Sequence, residues 1–211
     1  TFHPSGAIEV DNSLERADGL PVMPRVGMNV ELIRRLDNVE WLGRGPFENY
    51  SDRNTAANVG RYSNTVADHY VPYMRPQENG YKTDVRWLSL ADNGNVGLLV
   101  STDSRFSFGV HHNRLHDFVP PVKIAITSED GPGARDNEER VNIHVNDIVP
   151  RDLIALDIDY GQMGVGGDDS RGKRTLQKYS LNEKHYQYRV TLQPYSPGNG
   201  RLDELVNRRQ R

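Results

Sequence analysis

The feature of this sequence that most limits its fold is the alternation of apolar and polar side chains over short runs. Residues 25–32 are the clearest run, because every second side chain is apolar and the others are polar or glycine. The apolar positions are Val26, Met28, Val30 and Leu32. Successive residues of a strand point to opposite sides, so this run predicts a strand with one buried face. About nine such strands, with no helical period longer than a turn or two, predict an all-β antiparallel sandwich or barrel.

The remaining predicted strands are separated by segments rich in glycine, proline and asparagine. They cover residues 7–10, 84–90, 96–101, 106–110, 122–126, 141–145, 153–160 and 186–192, and residues 39–41 form a brief extended piece. Residues 92–95 read Asp-Asn-Gly-Asn, and Asn-Gly between two apolar runs predicts a hairpin. Residues 42–58 have no period and contain two glycines and a proline, so we predict an ordered loop there. One helical turn is expected within that loop, near residues 52–58.

The length of the chain, 211 residues, suits one sizeable core, so we predict a single domain over residues 1–211. Residues 128–140 are polar and carry seven charges, which predicts an exposed insertion loop. Residues 201–211 form a charged tail, for which a short helix and a frayed end are both open. Because the sequence begins in a strand-like context, its amino terminus is expected to be a boundary or a cleavage point.

The composition excludes several classes of partner and site. Acidic residues outnumber Lys and Arg by 29 to 26, so the chain lacks the basic surplus typical of nucleic-acid binding. There is no cysteine, which rules out disulfides and thiolate metal sites and leaves the compartment open. No apolar run approaches the length of a membrane span, and no signal peptide is visible. We therefore expect neither a nucleic acid nor a membrane as partner.

The segment over residues 161–171 combines glycines with polar groups. It reads Gly-Gln-Met-Gly-Val-Gly-Gly-Asp-Asp-Ser-Arg and directly follows a predicted strand. Glycine reaches positive φ without a Cβ clash, so the backbone can turn sharply or approach a ligand closely here. The carboxylates, hydroxyl and guanidinium of the last four residues suit a polyol, which offers hydroxyl donors and acceptors at fixed spacing. A plain surface loop with solvated charges is the alternative.

A second polar stretch, residues 41–53, mixes aromatic, acidic, amide and arginine side chains. Glu48 or Asp52 could form charge-assisted pairs with Arg53 that hold the loop in one shape. On this interpretation Asp52 and Arg53 are both tied into the loop and largely buried. The functional alternative is that the stretch forms a polar wall of a sugar site.

Two further groups of polar residues call for an explanation. His111, His112, Asn113 and His116 suggest a metal site or an acid/base pair, but adjacent strand residues point to opposite faces, so His111 and His112 cannot easily share a ligand. An epimerase would need a His and a Glu that face one sugar, and nothing in the spacing supports the pair Glu48 and His112.

Four aspartates lie close to the glycine-rich segment. They are Asp157, Asp159, Asp168 and Asp169. These carboxylates could bind calcium, but they lack the ordered ligand spacing of a calcium loop. We expect a solvated or salt-bridged acidic patch instead.

Three stretches of the sequence together resemble one known domain. Residues 39–53, residues 73–80 (Tyr-Met-Arg-Pro-Gln-Glu-Asn-Gly) and residues 163–170 are similar, in the correct order, to signatures of the carboxy-terminal domain of the large bacterial β-galactosidases of glycoside hydrolase family 2, the lacZ type. Residues 25–28 and 104–107 resemble the family at matching places. The similarity runs from about Ala7 to Leu192, with extra residues around positions 119–150.

The resemblance implies a β-supersandwich of the galactose-mutarotase-like type, and it implies a role. In that family the acid/base and the nucleophile are two glutamates on a separate (β/α)₈ barrel, about 5 Å apart in a retaining enzyme. No stretch of this chain resembles the barrel motifs, so we expect no catalytic residue and no cofactor here. The family's carboxy-terminal domain closes one side of the active-site mouth. The resemblance further implies that this chain lacks the first strands of its sandwich.

The sugar-contacting segment of the family corresponds to residues 168–171. The resemblance implies substrate binding by Asp168, Asp169 and Ser170, and it places Arg171 where the family has a tryptophan on which the sugar stacks. A guanidinium can lie against a sugar or bond its hydroxyls, but it lacks the broad apolar face of an indole.

The resemblance also sets the expected partners. They are the remaining domains of the same β-galactosidase chain and a β-galactoside, and the full-length protein is expected to be a homo-oligomer. Two other functions stay open, a free-standing carbohydrate-binding module and a mutarotase-like aldose epimerase.

Overall fold

The computed structural model describes residues 1–118, 144–167, 172–198 and 202–209. The strands are β1 Ile8–Glu15, β2 Arg25–Leu32, β3 Asn38–Gly45, β4 Asn58–Thr65, β5 Lys82–Ala91, β6 Gly97–His111, β7 Ile154–Gln162 and β8 His185–Tyr195. The α-helices are α1 Leu115–Phe118 and α2 Leu202–Arg209. Short 3₁₀ helices occur at Val66–His69, Val145–Asp147 and Gln177–Tyr179. All strand pairs are antiparallel, which confirms the predicted all-β class.

The long strand β6 is the centre of the sheet. Its first half pairs with β8 and its second half with β7, while β5 follows it on the other side through two irregularities in register. The strand order is β1-β8-β6-β5-β3-β4, and β2 joins through β7. This arrangement is consistent with a sandwich. Its assignment to the galactose-mutarotase-like type remains a prediction from the resemblance.

The apolar faces of these strands meet in one main core. Its fully buried members are Val39, Trp41, Val66, Val85, Leu88, Leu90, Val100, Phe106, Phe108, Val110, Ile154, Leu156, Ile158 and Val190. Trp41 lies at a junction of this core, with ring centroids 5.3 Å from His69 and 5.9 Å from Phe108. Truncation of such a buried aromatic typically costs about 3–5 kcal/mol.

Helix α2 packs on a second, smaller apolar cluster. Leu202, Leu205 and Val206 contact a buried patch on the opposite face of the sheet. The patch consists of Trp87, Ala91, Leu99 and Tyr195. The charged tail is therefore helical over the residues that the structure describes.

Several predicted elements are confirmed. β2 has the predicted bounds, and Met28, Val30 and Leu32 pack against the main core. The hairpin between β5 and β6 is also present. The carboxylate of Asp92 accepts hydrogen bonds from backbone N–H groups within its turn, and Asn95 has a φ of 58°.

Other elements differ from the predictions. β4 was not predicted, because its polar sequence shows no buried face and its pairing with β3 decides its conformation. β6 is one strand where two were predicted, since pairing continues past the polar residues 102–105. No helical turn occurs at residues 52–58. There the guanidinium of Arg44 binds the carbonyls of Asn54 and Ala57.

The predicted insertion over residues 128–140, the strand at 122–126 and most of the strand at 141–145 lie outside the described residues. In the parts that the structure covers, no helix is long and apolar enough to cross a membrane.

Candidate functional site

Three segments meet at the end of the sheet where β3 and β7 finish and β5 begins. We call residues 46–57 the first loop and residues 70–81 the second loop. The third segment, the neck, consists of residues 163–167 and 172–176, which flank the predicted sugar-contacting residues. These segments overlap the three stretches that carry the resemblance to the β-galactosidase domain.

Asp52 of the first loop holds the neck. Its carboxylate accepts hydrogen bonds from the N–H groups of Val165 (3.0 Å) and Gly166 (2.9 Å) and from the hydroxyl of Thr175 (3.2 Å). The side chain is only 4% exposed. Burial opposes ionisation of Asp52, but the hydrogen bonds from Gly166, Val165 and Thr175 outweigh it and lower the pKa below its ordinary value. An ionised carboxylate therefore joins both flanks of the neck.

Arg53 supports the same contact from the rim. Its guanidinium donates to the carbonyl of Gly166 (2.5 Å) and to the backbone carbonyl of Asp52 (2.8 Å). The side chain is 45% exposed. The prediction that both residues are largely buried is thus right for Asp52 and wrong for Arg53. Backbone amides stabilise the buried carboxylate, so the guanidinium can remain at the surface.

Two glycines allow the close approach of neck and first loop. A Cβ on Gly164 would lie 2.5 Å from the carboxyl carbon of Asp52, a distance that carbon atoms do not tolerate. Gly166 has a φ of +65°, which favours glycine. The N–H of Gly167 donates to the carbonyl of Lys173 (2.7 Å) and closes the neck. The backbone on both sides of residues 168–171 is thus held by hydrogen bonds.

Glu48 and Asn49 join the first loop to the second. The carboxylate of Glu48 accepts from the N–H of Gly80 (2.9 Å) and from the hydroxyl of Tyr73. The side-chain oxygen of Asn49 accepts from the N–H (3.0 Å) and hydroxyl (2.5 Å) of Thr83. Thr83 belongs to β5, and the N–H of the fully buried Asn49 donates to the carbonyl of Tyr81 (2.8 Å) at the end of the second loop, so the two loops are also tied together from inside the protein.

A cluster of charges lies beneath the second loop. The guanidinium of Arg25 lies 2.6 Å from Asp159, 3.3 Å from Asp157 and 3.4 Å from Glu78. The hydroxyl of Tyr81 donates to Asp159 at 2.7 Å. Burial raises the pKa values of Asp159 and Glu78 to about 7, although Arg25 favours their ionised forms.

This cluster accounts for two of the four aspartates near the glycine-rich segment. Asp157 and Asp159 are salt-bridged, as expected, whereas Asp168 and Asp169 lie outside the described residues. Within residues 1–118, 144–167, 172–198 and 202–209, no group of three or more His, Cys, Asp or Glu residues could hold a metal ion.

The histidines do not share a ligand. His111 bonds the carbonyl of Asn79 (3.0 Å), while His112 bonds Asp37 (2.9 Å) and the carbonyl of Leu153 (3.0 Å). Glu48 and His112, the pair weighed for an epimerase, have no bonding partner in common.

Sequence reasoning missed three contributors to the site. Arg25, Glu78 and Thr175 come from separate parts of the chain, so no local pattern marks them as neighbours of this site. The family-like stretches at residues 25–28 and 73–80, which contain Arg25 and Glu78, were a signal, but they did not reveal that these two side chains are partners. The predicted sugar contacts Asp168, Asp169, Ser170 and Arg171 all lie outside the described residues, although the neck that carries them is described.

These features define an all-β domain whose glycine-rich neck is anchored by a buried carboxylate. The family model described as beta galactosidase small chain matches residues 1–192, and the chain therefore belongs to the β-galactosidase small-chain family. This membership confirms the resemblance seen in the three sequence stretches.

Curated relatives agree with this membership. The chain is 33% identical to a beta-galactosidase of Pseudoalteromonas haloplanktis, over 91% of this chain and 16% of that protein. It is 31% identical to a beta-galactosidase of Vibrio vulnificus strain CMCP6, over 93% of this chain and 16% of that protein. A beta-galactosidase of Priestia megaterium is also 31% identical, over 92% and 17%. The chain thus spans about a sixth of the length of these relatives.

Proposed function

We propose that this chain is a non-catalytic domain of a β-galactosidase and closes one side of the active-site mouth. In this proposal Asp168, Asp169, Ser170 and Arg171 contact the terminal β-galactoside, and the catalytic glutamates belong to a separate barrel domain. The observation that carries the proposal is that the three family stretches meet in space, where Asp52 of the first loop accepts hydrogen bonds from the neck. Such anchoring suits a segment that must meet a ligand in one geometry.

The exposed apolar side chains around the site support a covering partner. Phe47, Met74, Val165 and Leu176 are each about half exposed or more. Each is adjacent in sequence to a residue whose hydrogen bond joins two of the three segments. These bonded residues are Glu48, Tyr73, Gly166 and Thr175. Since the chain spans about a sixth of its relatives, we assign this surface to the remaining domains of the same polypeptide.

The test compares the purified 211-residue chain with the full-length protein. We expect the full-length protein to hydrolyse an aryl β-galactoside and the chain alone to give no turnover, because it lacks the barrel glutamates. Turnover by the chain, free of contaminating enzyme, would contradict the non-catalytic role. Sugar binding by the chain alone, together with an inactive full-length protein, would favour a carbohydrate-binding module.

A further inference from the structure

We infer that Asp52 is a positioning residue for sugar binding, because it sets the geometry of the neck that carries the substrate-contacting segment. This inference rests on the proposed function and deepens it. Asp52 itself has no place among the proposed sugar contacts. Its action on the sugar is indirect and passes through the backbone of the neck.

The hydrogen bonds of Asp52 differ from those of an ordinary loop anchor in that they reach both flanks of one short segment. Val165 and Gly166 precede residues 168–171, and Thr175 follows them. The N–H of Gly167 also donates to the carbonyl of Lys173 (2.7 Å), and this bond joins the same two flanks. A change at Asp52 therefore disturbs the described backbone on both sides of residues 168–171.

The contact requires a carboxylate. One carboxylate oxygen accepts from Val165, and the other accepts from both Gly166 and Thr175. An asparagine has the same shape, but its NH₂ group would have to face an N–H donor on one of these two sides. Asp52→Asn should thus keep the volume of the side chain and lose the hydrogen bond from the N–H of Val165 or the one from the N–H of Gly166.

The experiment measures steady-state hydrolysis of an aryl β-galactoside by full-length Asp52→Asn. We expect KM to rise on the order of tenfold while kcat changes less than threefold, since the barrel chemistry is untouched and only sugar placement suffers. Thr175→Val should raise KM in the same direction by a smaller factor. Thr175→Ser keeps the hydroxyl and should restore the original KM.

Asp117→Asn is the matched control. Asp117 is also a buried carboxylate that accepts a backbone N–H, from Arg114, and it pairs with Arg151 rather than with the neck. Its loss should lower thermal stability and leave KM unchanged. A KM increase of equal size in Asp117→Asn would show that any loss of stability raises KM, and the inference would fail.

Hydrogen exchange separates the inference from the proposed function. Peptides within residues 161–167 should exchange faster in Asp52→Asn than in the original protein. If exchange accelerates but KM stays constant in an active enzyme, the neck does not position the sugar and Asp52 is only structural. If exchange does not change, the anchoring role itself is wrong. If the original full-length protein does not hydrolyse β-galactosides, it is the proposed function that fails.

Discussion

The guanidinium of Arg25 and the carboxylate of Asp159 lie 2.6 Å apart, on the neighbouring strands β2 and β7. Asp159 is 1% exposed, and its other hydrogen-bond donor is the hydroxyl of Tyr81. Because Glu78 also reaches Arg25, this ion pair connects the strand face beneath the site with the second loop. The pair thus lies between the core of the domain and its candidate functional end.

The first prediction concerns the loss of Arg25. Arg25→Ala leaves the carboxyl of Asp159 buried without a cation, and we expect the free energy of unfolding to fall by about 3–5 kcal/mol. The loss should be smaller at pH 5 than at pH 8, because protonation of Asp159 and Glu78 removes the unpaired charges. Urea unfolding at both pH values measures this difference. Arg189→Ala, which breaks an exposed pair with Asp11, is the control and should change stability little.

The second prediction concerns the pH dependence of Glu78. Burial raises its pKa to about 7, so between about pH 4.3 and pH 7 the folded state keeps a proton that the unfolded chain releases. This group therefore stabilises the fold at low pH, and that contribution is lost as the pH rises through 7. Glu78→Gln removes the titration. The free energy of unfolding of the variant, minus that of the original protein, should therefore increase by about 1–3 kcal/mol as the pH rises from 4.5 to 7.5.

The measurement for Glu78 is the difference between two unfolding curves at each pH. Burial also lowers the pKa of His111, to about 4, but that group titrates in both proteins and largely cancels in the difference. A difference that stays constant from pH 4.5 to pH 7.5 would show that Glu78 titrates normally.

The third prediction separates Arg53 from its neighbour. Because the carboxylate of Asp52 is held by amides of the neck, Arg53→Ala should cost only about 1 kcal/mol of unfolding free energy. Asp52→Ala should cost about 2–4 kcal/mol, since it leaves several donors without an acceptor. Chemical denaturation of both variants tests this order. An Arg53→Ala loss as large as that of Asp52→Ala would mean that the half-exposed guanidinium is the main partner after all.

The fourth prediction concerns Arg171, which the sequence resemblance places at a tryptophan of the family. In the full-length protein, Arg171→Trp should strengthen stacking on the sugar by on the order of 1 kcal/mol. This gain should lower KM for a β-galactoside roughly fivefold. Arg171→Ala is the control, since it removes the guanidinium without adding an aromatic face. Unchanged kinetics in Arg171→Trp would place this residue away from the sugar.

The sequence by itself determined the fold class, most of the strands and the family. Strands such as β2 and β8 are visible in a sequence because one face meets the core and the other meets polar surroundings. The hairpin at Asp92 is equally local, because a few turn residues specify it. The three family stretches needed only their own residues and their order.

Only the tertiary structure decided which residues meet. β4 has no apolar face, and its conformation depends on pairing with β3. Asp52 and Gly166 are 114 positions apart, and nothing local in either segment specifies a hydrogen bond between them. The same holds for the burial of Asp52 and the exposure of Arg53, two adjacent charged residues. Burial and pairing of polar groups depend on the path of the whole chain, whereas alternation depends on the nearest few residues.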